Sequence, residues 1–205
     1  MEKTNIFITG FSGTGKSTVG KHLAKMLGWT FVDTDRYIER QKDKSISDIF
    51  EELGERDFRK IESEVINQVC KSQFQVVATG GGLVLSEMNR RLMDENGILV
   101  CLEARVGTLC GRLGDTTLKR RNKEVRPLLA GSELESKIID LKSQRQFVYS
   151  MSDYTVHTDD LTVEEVSTII YRSWKIFEKK NGLFSSWDAA SLVHTSETIY
   201  PICVG

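Results

Sequence analysis

A chain of 205 residues, 40% hydrophobic and 28% charged, is long enough for one α/β domain with a sizeable core, and its composition is that of an ordinary globule. Lys+Arg 28 against Asp+Glu 29 leave a net charge of -1, so nothing global favours nucleic acid or an anionic membrane as a partner. The four cysteines, Cys70, Cys101, Cys110 and Cys203, have neither C-x-x-C nor zinc-site spacing, the N-terminus lacks a signal-peptide profile, and no apolar run reaches bilayer-spanning length. Free buried thiols and a cytoplasmic location are expected.

Residues 6–18, IFITGFSGTGKST, run from an apolar strand through a glycine-rich turn into a helix. The pattern G-x-x-x-x-G-K-S/T marks a phosphate-binding loop, and the flanking strand and helix are the context it requires. Gly10, Gly13 and Gly15 let successive N–H groups face phosphate oxygens, with a helix dipole behind them. Gly13, Thr14, Gly15, Lys16, Ser17 and Thr18 are therefore the candidate nucleotide contacts, with Lys16 as a mobile charge and Ser17 as a hydroxyl for Mg²⁺.

Val19, Leu23, Met26 and Leu27 continue at helical spacing up to Gly28, and a short strand, 29–32, leads into Asp33-Thr34-Asp35. Carboxylates at the carboxyl end of a strand beside such a loop are well placed for a site, although a solvated acidic turn has the same composition. Asp33 is the candidate for organising the metal and Asp35 for orienting or deprotonating a substrate hydroxyl. Residues 37–71 read as helical with breaks near 41–45 and at Gly54, an insertion suited to a substrate wall. Arg59 begins its apolar stripe of Phe58, Ile61, Val65 and Val69.

A buried strand over 75–79 ends in Gly80-Gly81-Gly82, which suits close approach of a ligand or simply a permissive turn. It carries no acidic residue at its end, which puts more weight on Asp33 for the metal. A helix over 86–96, a strand over 98–102 and a helix from 105 to 112 follow, then a polar, basic stretch from Gly114 to Leu129. Such a run is either a solvated surface or a lid that closes over nucleotide and brings in an arginine. Ser132 and Glu135 have capping-box spacing for a helix ending near Tyr149, with Arg145 in its last turns. A fifth strand over 154–157 and a helix from Thr162 to about Lys179 complete a parallel sheet with helices on both faces. His157 reads as structural.

Taken together, FVDTD with Ile38-Glu39, FRKIE, the triple glycine, Arg126-Pro127-Leu128-Leu129 and Arg145 through Tyr149 resemble the shikimate kinase family over roughly residues 5–172. The resemblance implies a three-layer α/β/α P-loop kinase fold with a five-stranded parallel sheet, a substrate-binding insertion at about 33–62 and a mobile lid at about 114–130. It implies ATP-dependent phosphorylation of the shikimate 3-hydroxyl by a monomeric kinase domain, with Mg²⁺ at Ser17 and, through water, Asp33. Lys16, Asp35 and Arg126 would be the catalytic residues. Asp35, Arg59, Gly80, Gly81, Gly82 and Arg145 would bind shikimate, with Phe50 and Phe58 as an aromatic wall. Arg112 and Arg126 would serve ATP, Arg112 at the adenine. The segment between these two arginines is longer than the family's usual one, so Lys119, Arg120 or Arg121 compete for either role.

The rivals are a gluconate kinase-like or nucleoside monophosphate kinase of the same fold, and a nucleotide-binding regulatory module. Paired arginines with a triple glycine favour a carboxylated cyclic alcohol. A guanine switch would carry N-K-x-D, and here Asn122-Lys123 is followed by Glu124-Val125. Residues 1–179 form the expected kinase domain; 180–205 read as a linker followed by strand, turn and strand. That tail resembles the opening hairpin of 3-dehydroquinate synthase, which implies a kinase cut from a fused polypeptide.

Overall fold

A computed structural model describes residues 3–114, 134–180, 191–194 and 199–202, the last two segments and residues 179 and 180 by their backbone. The expected five parallel strands are β1 (Asn5–Gly10), β2 (Thr30–Asp33), β3 (Gln75–Ala78), β4 (Gly97–Glu103) and β5 (Tyr154–His157). They are ordered β2-β3-β1-β4-β5. Two further strands, β6 (Ser191–His194) and β7 (Ile199–Ile202), extend the same sheet beyond β5, β6 parallel to β5 and β7 antiparallel to β6. The tail thus holds the strands read from it, and their pairing onto the β5 edge of the sheet is an addition to that reading.

The helices are α1 (Lys16–Leu27), α2 (Thr34–Lys42), α3 (Ile46–Val69), α4 (Glu87–Asn96), α5 (Val106–Gly114), α6 (Leu134–Tyr149) and α7 (Val163–Lys180). The two breaks expected in the insertion fall where the sequence puts them. Asp43 takes a left-handed conformation after α2, Ser45 caps α3 by accepting from Asp48 N, and Gly54 interrupts α3 at φ 74, ψ 171. Thr162 and Glu165 form a reciprocal capping box at the start of α7. The corresponding box before α6 includes Ser132, which lies outside the described residues.

Strand residues sort by alternation into two apolar layers. Phe7, Val77, Leu99 and Cys101 pack with Ile38, Phe58, Ile61, Val65 and Tyr149 on one face. On the other, Ile6, Ile8, Val76, Ile98, Val100 and Leu102 pack with Leu23, Val166, Ile170 and Trp174. Strands buried on both sides need continuous apolar runs, which is what β1 and β4 supply. Cys101 is buried, whereas Cys70 and Cys110 are only half-buried; all three are free thiols, and burial pushes Cys70 and Cys101 up to about 12. Cys203 lies outside the described residues.

From β1 the chain proceeds to β2 and β3 on one side and later to β4 and β5 on the other. Such a switch point opens a crevice at the carboxyl ends of the central strands. The glycine-rich loop, the β2 carboxylates and the triple glycine all meet there. Among the described residues no helix is long and apolar enough to cross a membrane.

Candidate active site

Gly10 leaves β1 at φ 131, and a Cβ there would run into the main-chain carbonyl of Leu102 on β4, so only glycine can make this exit. The loop is closed by Thr14 Oγ1, which donates to Phe11 O at 2.9 Å. Lys16 Nζ donates to the carbonyl oxygens of Gly10 and Phe11, both at 2.8 Å. The start of α1 borders the crevice, and the N-terminus of a helix there makes an anion site suited to phosphate.

Asp33 ends β2 and caps α2. One carboxylate oxygen accepts from Ser17 Oγ at 2.6 Å and the other from Arg36 N at 3.2 Å. A hydroxyl and a carboxylate held together fit Mg²⁺, which keeps several waters and takes the rest of its ligands from substrate phosphates. A groove of about 510 Å³ runs from this point along Gly13 to Val19, past Thr79 and Arg36, to Arg112, Thr158 and Thr162. Arg112 spans its far end: one guanidinium nitrogen donates to Gly13 O at 3.2 Å and to Thr158 Oγ1 at 3.0 Å, the other to Thr158 O at 2.7 Å. Thr158, Leu161, Thr162 and Val163 line the groove; the first two went unremarked in the sequence, and Thr162 and Val163 were read only as the start of a helix. The available signal was their place after the carboxyl end of a parallel strand, the rule that had picked out Asp33.

A second, smaller pocket lies on the other side of Asp35. Phe11, Phe50, Phe58, Arg59, Glu62, the triple glycine, Leu141 and Arg145 enclose it. The Phe50 and Phe58 rings stand 5.4 Å apart, forming the expected aromatic wall. Arg59 is held by two carboxylates, Glu62 at 2.7 Å and Glu55 at 2.8 Å, and its guanidinium lies 5.6 Å from the Phe58 ring centre. Arg145, from α6, donates to Gly81 O at 3.5 Å beside Tyr149, whose hydroxyl donates to the same oxygen at 2.8 Å. The two arginines predicted for a carboxylate therefore flank one pocket, from elements 86 positions apart in sequence (145 − 59).

Glu62 is the functional candidate the sequence reading missed. It is 1% exposed, pairs with Arg59, and sits on the buried face of α3 between Ile61 and Val65. Burial pushes its carboxyl up to about 7; Asp35 adds to that, while Arg59 and Arg145 pull it down. A charged residue on an apolar stripe, three positions after a predicted ligand arginine, was the signal that could have found it.

Gly80 holds the two pocket carboxylates at close range. Its N–H donates to Thr34 Oγ1 at 2.9 Å, and a Cβ at this position would lie 2.5 Å from Asp35 Oδ1 and 2.8 Å from Glu62 Oε1. Gly80→Ala is expected to displace Asp35 and cut kcat at least about tenfold while the unfolding temperature shifts by only a few degrees. Unchanged kcat in steady-state assays of the folded variant would contradict the close packing. Arg126 and most of the expected lid, like Lys119, Arg120 and Arg121, lie outside the described residues.

Residues 12–175 match the family model described as "Shikimate kinase". A shikimate kinase of Caldanaerobacter subterraneus subsp. tengcongensis is 38% identical over 170 residues, 83% of this chain and 95% of its own. One from Thermodesulfovibrio yellowstonii is 40% identical over 171 residues, with the same coverage of each chain. Among solved structures, the Acinetobacter baumannii shikimate kinase in complex with shikimate superposes with a TM-score of 0.77 at 34% identity, covering 88% of this chain and 96% of that one.

Proposed function

The chain belongs to the shikimate kinase family, and from that premise we propose that it transfers the terminal phosphoryl group of ATP to the 3-hydroxyl of shikimate, giving shikimate 3-phosphate for aromatic amino-acid biosynthesis. The observation that carries this reading is the position of Asp35, which among the described residues is the one that lines both the phosphate-side groove and the arginine-flanked pocket. A phosphotransferase needs its acceptor hydroxyl at the boundary between donor and acceptor, with a carboxylate beside it.

In this reading the acceptor carboxylate lies between Arg59 and Arg145, whose planar forks suit it, and the ring rests on the glycine loop against Phe50 and Phe58. Asp35 orients the hydroxyl and accepts its proton as the new O–P bond forms. Lys16 and the N–H groups of Gly13, Thr14, Gly15, Ser17 and Thr18 hold the nucleotide phosphates, and Arg112 borders the adenine end. Ser17 and Asp33 would hold Mg²⁺, whose charge offsets that of the phosphates when bound. Arg126 is assigned to the transferring phosphoryl group. The domain is taken as residues 1–179, monomeric and cytoplasmic; the tail from 180 is taken as the start of a fused 3-dehydroquinate synthase, an idea that a reading frame stopping after Gly205 would remove.

The test is an ATP-dependent acceptor screen with shikimate, gluconate and nucleoside monophosphates. Turnover with shikimate alone is expected. Turnover with gluconate or a nucleotide instead would replace this acceptor assignment, and none with any acceptor would favour a nucleotide-binding module.

Glu62 makes acceptor binding depend on pH. With its carboxyl raised from 4.5 to about 7, the folded chain keeps this proton through a window in which an unfolded chain has lost it. Its contribution to stability is present at low pH and declines as pH rises through 7. The protonated form also leaves the pocket more positive for an anionic acceptor. The KM for shikimate is therefore expected to rise between pH 6 and pH 8, and Glu62→Gln is expected to flatten that rise. A wild-type KM that is constant, or that falls, over this range would contradict the assignment.

A further inference from the structure

Of the sixteen residues of α6, only Ile138 and Tyr149 are fully buried, while Ile139 and Phe147 are 48% and 72% exposed. Leu134, Leu141 and Val148 pack partly buried against the same core, so apolar contacts seat the helix and polar anchors refine its position. Lys142, Arg145 and Tyr149, spaced i, i+3 and i+7, share one face. Tyr149 reaches the Gly81 carbonyl at 2.8 Å, whereas Arg145 bonds to it at 3.5 Å and otherwise meets the Tyr149 hydroxyl and, at 6.0 Å, the Phe11 ring, so its place follows that of the helix that carries it. Lys142 instead meets Glu103, the last residue of β4 and 7% exposed, at 2.5 Å. An ion pair this enclosed is weakly screened and geometrically demanding.

We propose that the Lys142–Glu103 pair is a positioning device: it locks the middle turn of α6 onto the end of β4 and thereby sets where Arg145 meets the acceptor's carboxylate. This rests on the reading of Arg145 as a shikimate ligand. Glu103 also touches the nucleotide side, but through its main-chain carbonyl, which accepts from Thr158 N at 2.9 Å and Thr158 Oγ1 at 3.2 Å; Thr158 in turn holds Arg112. Changing the Lys142 side chain removes the acceptor-side link and leaves that carbonyl in place. The loss should therefore fall on the acceptor and spare ATP.

The experiment measures kcat and both KM values for Lys142→Met, Lys142→Arg, Glu103→Gln and Arg145→Ala, together with the Lys142→Met, Arg145→Ala double variant. Lys142→Met and Glu103→Gln are each expected to raise the KM for shikimate about tenfold, with the KM for ATP and kcat within about twofold of wild type. Lys142→Arg should recover most of the loss. In the Arg145→Ala background, Lys142→Met should add less than about twofold, because it acts through Arg145. Equal rises in both KM values, or a full Lys142→Met effect without Arg145, would overturn the proposal. So would an unchanged KM for shikimate in Lys142→Met and Glu103→Gln while Arg145→Ala raises it. If Arg145→Ala itself leaves that KM unchanged, the acceptor reading of Arg145 falls, and the positioning role falls with it.

Discussion

Replacing Asp35 by Asn is expected to lower kcat with shikimate by about a thousandfold, within the range general-base groups contribute. Asparagine keeps the size of the side chain, so the close approach of Gly80, which brings a Cβ position within 2.5 Å of Asp35 Oδ1, is undisturbed. What disappears is the negative charge proposed to align the hydroxyl and take its proton. The proposed ATP contacts are Lys16, the start of α1 and Arg112, which line the groove and which the substitution does not remove. Calorimetric titration should accordingly give an ATP affinity within about twofold of wild type. Wild-type-like turnover in a coupled assay would rule out the proposed role, and parallel loss of ATP affinity would show Asp35 acting through the phosphate loop.

Arg59→Lys should raise the KM for shikimate by tenfold or more, about 1.4 kcal/mol for each factor of ten, with little change for ATP. Arg59 uses separate nitrogens for Glu62 and Glu55 while lying over the Phe58 ring. A lysine has one charged atom on a flexible stem and cannot hold both carboxylates and still offer a fork to a third. Its loss also leaves Glu62, 1% exposed, with a poorer partner. A urea unfolding midpoint measured alongside separates this cost from the binding effect. Equal losses for both substrates would argue that Arg59 serves the fold.

The donor half of the site was legible because it is local. One run of sequence from Ile6 to Thr18 fixes strand, turn and helix, and Asp33 falls at the next strand's carboxyl end, where it meets Ser17. The arginine pocket was legible only through the resemblance, since Arg59 and Arg145 come from α3 and α6 and no periodicity relates them. Glu62 was hidden by its setting, because an acidic residue on a long helix ordinarily faces water. Its burial is a tertiary fact, created when α3 lays Ile61 and Val65 on the sheet. Thr158 and Lys142 were missed for the same reason: their partners, Arg112 and Glu103, lie 46 and 39 positions away in sequence (158 − 112 and 142 − 103). In the tail, strand, turn and strand were read from the sequence, but pairing of β6 with β5 is set by the open edge of the sheet.

The central claim is that two clefts sharing Asp35 form one phosphotransfer site with shikimate as acceptor. Phosphorus NMR of the product formed from ATP, Mg²⁺ and shikimate by the purified chain tests it most directly. A single new phosphomonoester coupled to the proton at C3 of the ring, formed in step with ADP, is the predicted result. ADP released without a phosphorylated ring, or phosphate on a different hydroxyl, would contradict it.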